Sequence, residues 1–297
     1  LTTAQKGSIF LFIDNEPNGE AKMTTVLERL NHSVALTDEQ IFARAPAVFS
    51  RVADDDRSSA YSFAPTFPII QELRAEGFDV VNAFQSKGES PYAKHQIILR
   101  PRDKQKIEKV GDTFAEISLT NSHDGRSAIE IGGALLRLAC LNGMVLPHGM
   151  AEQTKVYHKG DVISEIVEGM RKAVEGSKGT MDRIQRWGSI ELDRDEQEMF
   201  ATFAHRLRFG TMEDGEEHFI KASQLLEVRR SEDNGNDLWR VLNRIQEASL
   251  MPLIGQGSTG RARQSRAITS IDSRKGINEG LLTMAQIIEQ HKAPVVV

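Results

Sequence analysis

Residues 77–145 constrain the fold of this 297-residue chain more than any other stretch. Three consecutive segments there, residues 78–86 (FDVVNAFQS), 92–100 (YAKHQIILR) and 113–120 (TFAEISLT), have the composition and length of strands. A polar knot, Asn121-Ser122-His123-Asp124-Gly125-Arg126, closes the third. The apolar run after it, residues 127–141, predicts a long helix. A short helix is expected just before the first strand, with Pro68 at its head and Gly77 past its end. Together these predict an α+β core in which a three-stranded antiparallel meander packs on a long helix. A mainly helical C-terminal part follows.

Composition narrows the class. With 39% hydrophobic and 27% charged residues the chain can bury a core and stay in water. No uncharged apolar run approaches the roughly 18 residues that span a bilayer, so no membrane partner is expected. The most apolar stretch, residues 128–146, is interrupted by Glu130 and Arg137. Residues 8–13 are apolar but too short for a signal peptide. A single cysteine, Cys140, excludes an internal disulfide and multi-cysteine metal centres, which points to a reducing compartment, the cytoplasm. A net charge of -5 speaks against a protein coated in cations but leaves room for a local basic patch.

Three regions are expected. Residues 1–35 form an N-terminal extension, 36–178 an α+β core domain, and 179–297 a helical region. A capping-box spacing, Thr37-Asp38-Glu39-Gln40, starts a helix at the head of the core. Past Pro147, Asp161 caps a helix with the stripe Ile163, Ile166, Val167, Met170 and Val174. Residues 194–208 repeat the pattern with Phe200, Phe203, Ala204 and Leu207, and residues 237–250 with Leu238, Leu242, Ile245 and Leu250. Residues 255–275, rich in Gly, Ser and Arg, read as a mobile basic loop before a final amphipathic helix over 277–290.

The turn between the second and third strands concentrates cations. Lys94, Arg100, Arg102, Lys104, Lys106 and Lys109 stand against Asp103 and Glu108, with His95 alongside. Strand alternation sets Lys94, Gln96, Ile98 and Arg100 on one side and His95, Ile97 and Leu99 on the other. Such a surface tracks phosphates; its bland counterpart is a solvated hairpin. In the knot, Ser122, His123 and Arg126 stand at an expected helix entrance, which favours anions; the alternative is a tight turn. Arg261, Arg263 and Arg266 make a second basic stretch. His95, His123, Asp124, His148 and His158 could converge on a divalent ion, yet no pair has ligand spacing on one element. Nucleotide and nucleophile motifs are missing, and the glycines of residues 255–260 lack the lysine of a phosphate loop. No cofactor is expected.

A family resemblance runs from about residue 36 to 290. Its marks include Ala47-Val48-Phe49-Ser50, Lys94-His95, Asn121-Ser122-His123-Asp124-Gly125, Asn142-Gly143, and His158-Lys159-Gly160-Asp161. Further marks are Asn236-Asp237-Leu238-Trp239 and Arg266-Ala267-Ile268-Thr269. These resemble the phage- and plasmid-borne proteins that share domain of unknown function 932. The resemblance implies a mobile-element setting in a bacterial cytoplasm and no particular chemistry. A weaker likeness, of element order alone, is to Rad52-type single-strand annealing proteins, which hold a strand by its backbone in a basic groove.

The expectation is a sequence-independent single-stranded DNA-binding or annealing protein, acting without turnover in recombination or replication of a mobile element. Lys94, His95, Arg100, Arg102, Lys104 and Lys106 would contact phosphates, with Lys159 nearby. Ser122, His123 and Arg126 would fix the strand, and Arg261, Arg263 and Arg266 would close over it. Self-association is expected. One alternative is a non-enzymatic host-interaction or anti-defence protein with a host protein partner; another is a metal-dependent nuclease using His95, His123 and Asp124.

Overall fold

The computed structural model describes residues 35–54, 63–86, 90–102, 113–137, 143–145, 153–157, 161–211, 218–257 and 260–292. The predicted N-terminal extension lies almost wholly outside these, as do Cys140, His148 and His158. Helix α1 (Asp38–Arg44) starts at the predicted capping box: the Thr37 amide donates to Gln40 Oε1 at 3.0 Å, and the Gln40 amide to Thr37 Oγ1 at 3.3 Å. Helix α2 (Thr66–Ala75) places Pro68 in its first turn, where a missing amide costs nothing. Gly77, at φ 93°, turns the chain into the sheet.

The three predicted strands form as β1 (Phe78–Gln85), β2 (His95–Pro101) and β3 (Thr113–Asn121), paired antiparallel in sequence order. The long helix expected over residues 127–141 is instead a fourth strand, β4 (Ile129–Arg137), which pairs along the length of β3 from Thr113↔Arg137 to Thr120↔Glu130. Adjacent Gly132 and Gly133 weaken any helix there. Ile129 and Ile131, two apart, turn to the buried side, as a strand demands. Two short strands, β5 (Gly143–Val145) and β6 (Gln153–Val156), then pair successive parts of β4 and complete a six-stranded sheet. The protein is thus mixed α/β with an antiparallel sheet, and the expected β-β-β-α order gives way to a run of strands.

The helix that backs the sheet comes later. Helix α3 (Val162–Trp187) is capped by Asp161, as predicted, but runs far past residue 174. It lies so close to β4 and β6 that a Cβ on Gly169 would sit 3.0 Å from both Ile131 Cδ1 and Thr154 Cβ. Its buried edge is Val162, Ile166, Met170 and Ala173, whereas Ile163 faces solvent, so the stripe is rotated from the predicted one. These residues join Ile41, Ile69, Ile70, Leu73, Ile97, Leu99, Leu119 and Ile129 in one core.

A second core takes over within α3, from Ile184 and Trp187 onward. The expected division near residue 178 therefore falls inside a continuous helix, between the two cores. Helices α4 (Arg194–Phe209), α5 (Leu238–Leu250) and α6 (Ile271–Lys292) build this second core, with α5 buried on nearly every side. Strands β7 (Ile254–Gln256) and β8 (Ala262–Gln264) make a hairpin, and α6 begins at Ile271, six residues before the predicted start. Among the described residues no helix is long and apolar enough to cross a membrane.

Candidate nucleic-acid interface

Strand pairing brings the family marks of β2 and β3 together at one end of the sheet, against the start of α2. His95 Nδ1 faces the Ala93 carbonyl at 2.8 Å, so that nitrogen carries the proton. Its Nε2 then accepts from Thr66 Oγ1 at 2.7 Å, and Thr66 accepts in turn from Asn121 Nδ2 at 2.9 Å. Asn121 Oδ1 takes the Ser122 amide at 2.8 Å. The His123 ring lies 5.0 Å from both His95 and Phe63, edge-on to the latter. His95, Asn121, Ser122 and His123 are all buried. Burial lowers the His95 pKa to about 4, the Ala93 carbonyl only partly opposing it, and the imidazole stays neutral at physiological pH.

This arrangement corrects several expectations. His95 and His123 cannot lie on a phosphate-tracking surface, because they sit inside the core. Both ring nitrogens of His95 are engaged, which leaves no lone pair for a metal. Among the described residues no group of three metal-capable side chains converges. The knot is a turn between two strands, with no helix entrance behind it. Ser122 Oγ donates to Asp124 Oδ1 at 2.7 Å and shares a 2.7 Å hydrogen bond with Ser127. Asp124 also takes the Arg126 amide at 3.0 Å, and Gly125 adopts φ 63°. Arg126 alone of the three knot residues singled out is exposed.

The cations of β2 are mostly spent inside the molecule. Arg100 is 4% exposed, and its Nε and Nη2 donate to Glu116 Oε1 across the strand pair at 3.1 and 2.6 Å. The side of the sheet bearing Gln96, Ile98 and Arg100, expected to be open, is covered: Gln96 donates to Ser118 Oγ at 2.9 Å and all three are buried. Lys94 pairs with Asp272 of α6 at 2.8 Å, and Arg102 with Asp79 of β1 at 3.0 Å, although Arg102 stays half exposed. Lys104, Lys106 and Lys159 lie outside the described residues.

The second basic stretch behaves differently. Arg261, Arg263 and Arg266 are exposed on and beside the hairpin, and none enters an ion pair among the described residues. The Arg263 guanidinium carbon stands 4.5 Å over the Phe219 ring. Gly255 lets the hairpin close on that segment, since a Cβ there would come within 1.9 Å of the Phe219 carbonyl oxygen. Next to Phe219, His218 stacks on Phe209 at 4.3 Å, and His205 lies 5.4 Å from His218. Arg208 covers the other side of the cluster, 4.5 Å from Phe209. Among the described residues its fork donates to neutral acceptors only, the Ala248, Met251 and Arg266 carbonyls and Ser265 Oγ. Burial lowers the His218 pKa, and among the described residues the positive charges of His205, Arg263 and Arg208 lower it further.

Sequence reasoning found the three hairpin arginines but not His205, Arg208, Phe209, His218 or Phe219. The available signals were the His205/Phe209 spacing of one helical turn and the His218-Phe219 pair. The acidic stretch Glu213, Asp214, Glu216 and Glu217 between them masks the basic character in any sequence window.

Fold and site together define a mixed α/β protein with a buried polar cluster at its sheet end and a cationic, aromatic patch on its helical half. The chain belongs to the family of domain of unknown function DUF932, whose model matches residues 55–265 and so takes in the polar cluster and the patch as far as Arg263, stopping just short of Arg266. It is similar to the UPF0380 protein YafZ of Escherichia coli (strain K12), with 34% identity over 263 residues, covering 85% of this chain and 91% of that protein. The UPF0380 protein YfjQ of the same organism is 33% identical over 259 residues, again covering 85% of this chain and 91% of its own length. No solved structure matches the chain.

Proposed function

We propose that the protein holds single-stranded DNA by its backbone, without turnover, in the recombination or replication of a mobile element, and that the contact is made by the hairpin patch. The observation that carries this is the exposure of Arg261, Arg263 and Arg266 on and beside the hairpin, with Arg263 over the Phe219 ring and Phe219 and Phe209 both against His218. Cations that meet no carboxylate among the described residues release counterions when they meet phosphates, and neighbouring rings stack on bases without reading them. The β2 surface is the weaker candidate, because Lys94, Arg100 and Arg102 each already face a carboxylate.

The test is fluorescence anisotropy with a labelled oligothymidine across a salt series. Three phosphate contacts give a slope of log affinity against log salt near −2, at about −0.7 per contact on a single strand. Replacing Arg261, Arg263 and Arg266 by Ala should flatten that slope and abolish most of the binding. Phe219→Ala should weaken binding with the slope kept, as loss of a stacked base would, at about 1–3 kcal/mol. Absence of binding at low salt would sink the proposal. A stoichiometric protein partner captured without nucleic acid would favour the host-interaction reading instead.

A further inference from the structure

Helix α4 carries more apolar surface than its own core uses. Phe200, Ala201 and Ala204 are buried, whereas Met199, Phe203 and Leu207, spaced one turn apart, remain 49%, 36% and 38% exposed. Helix α6 runs antiparallel beside them. At one end Lys292 Nζ meets Glu196 Oε1 at 2.7 Å; at the other, a Cβ on Gly280 would come within 2.5 Å of Leu207 Cδ2. Ile287 lies two turns along the same face of α6 as Gly280 and is 53% exposed. Met199, Phe203, Leu207 and Ile287 thus line one apolar strip along the two helices.

The charges flanking the strip are arranged by sign. At its start the strip is flanked by Asp195, by Glu198 and by Glu196, the last already met by Lys292; past Phe203 it is flanked by the exposed Arg206, Arg208 being turned away to the Ala248, Met251 and Arg266 carbonyls. The internal pair of Arg194 with Glu198, 2.9 Å apart on an exposed turn, is worth little and can be exchanged for a better partner. Such a helix is complementary to itself only when reversed. A phosphate backbone or an anionic lipid surface would meet the acidic half and be repelled, so neither fits the whole strip.

We propose that this strip is a two-fold interface with a second copy of the chain, α4 packing antiparallel on α4 about Phe203. A two-fold contact uses the same patch on both subunits, so residue i meets j and j meets i. Antiparallel pairing about Phe203 brings Met199 to the level of the partner's Leu207. It also brings Arg206 beside the acidic turn of the partner, while parallel pairing would set Arg206 against Arg206. The apolar strip supplies the dry centre and the charges fix the register.

The test is sedimentation velocity of the full chain over a concentration series. The native chain should pass from monomer to dimer. Phe203→Glu should raise the midpoint of that transition by about tenfold or more, and Met199→Glu should do the same, with circular dichroism confirming that both variants fold. Arg206→Glu should weaken the dimer by like-charge contact, and adding Glu198→Lys in the same chain should restore it. A native chain that stays monomeric at every concentration overturns the proposal. So does a dimer indifferent to both Phe203→Glu and Met199→Glu when these fold, or a double charge reversal no stronger than the single one.

Discussion

Arg100 shows how one buried charge can resemble a binding residue in sequence and be a structural one in space. Its guanidinium and the Glu116 carboxylate are nearly sealed from water. Burial raises the Glu116 pKa, and Arg100 pulls it back. Replacing Arg100 by Met should therefore lower unfolding stability by about 3–5 kcal/mol, because Glu116 would be left as an uncompensated buried acid. The double replacement Arg100→Met with Glu116→Leu should recover most of that loss, and neither variant should alter oligonucleotide affinity. Urea denaturation and anisotropy on the same samples check both halves. His95 gives a second residue-level prediction. Its pKa in the fold is depressed to about 4 from 6.5, so the unfolded chain binds the extra proton first. Stability should fall as pH drops from about 6.5 towards 4, with His95 contributing about 3 kcal/mol over that window. His95→Gln should show a shallower decline in denaturation midpoint across the same range.

At the scale of elements, the part of backing helix expected of residues 127–141 falls to α3, while residues 129–137 form strand β4. The stretch from Ile129 to Arg137 carries enough apolar residues to pass for a helix, yet it completes a sheet edge that β3 would otherwise expose. The backing helix α3 tolerates glycines for two different reasons. Gly169 is needed, since its backbone rides against Ile131 and Thr154, whereas Gly179 has nothing within 4 Å of where a Cβ would go. Gly179→Ala should accordingly raise stability by about 0.5–1 kcal/mol, the helix-propensity difference, while Gly169→Ala should lower it. Thermal or urea unfolding of the two variants separates these outcomes by sign. The hairpin is a comparable case. Its Gly and Arg content suggests a flexible arm, and the structure gives it a β7–β8 ladder and a close approach of Gly255 to the Phe219 carbonyl.

Across the whole molecule, two ion pairs tie the start of α6 to the sheet: Lys94 with Asp272 at 2.8 Å, and Lys275 with Glu130 at 2.6 Å. They reach from the second core's last helix to the first core's sheet. Partly exposed pairs of this kind are each worth at most about 1 kcal/mol and weaken with salt. Asp272→Asn combined with Lys275→Gln should therefore leave global stability little changed but speed amide exchange in the first turn of α6. Exchange in β2 and β3 should stay slow, and hydrogen-exchange mass spectrometry would resolve the difference.

The residues alone determined a good deal. The capping box at Thr37, Pro68, Gly77 and the alternation in β1 to β3 act within a few positions of each other, and the structure carries each where local chemistry puts it. The family marks were likewise legible, because they are short and in order. Only the tertiary structure decided what depends on distant partners. It made residues 129–137 a strand, sank Arg100 beside Glu116, turned His95 and His123 into the core, and left Phe203 and Leu207 of the α4 stripe facing out. It also gathered His205, Arg208, His218 and Arg263 around two phenylalanine rings from three separate segments. Periodicity reports which side of an element is apolar. Which side is buried, and which charge meets which, is set by long-range packing that a local window does not contain.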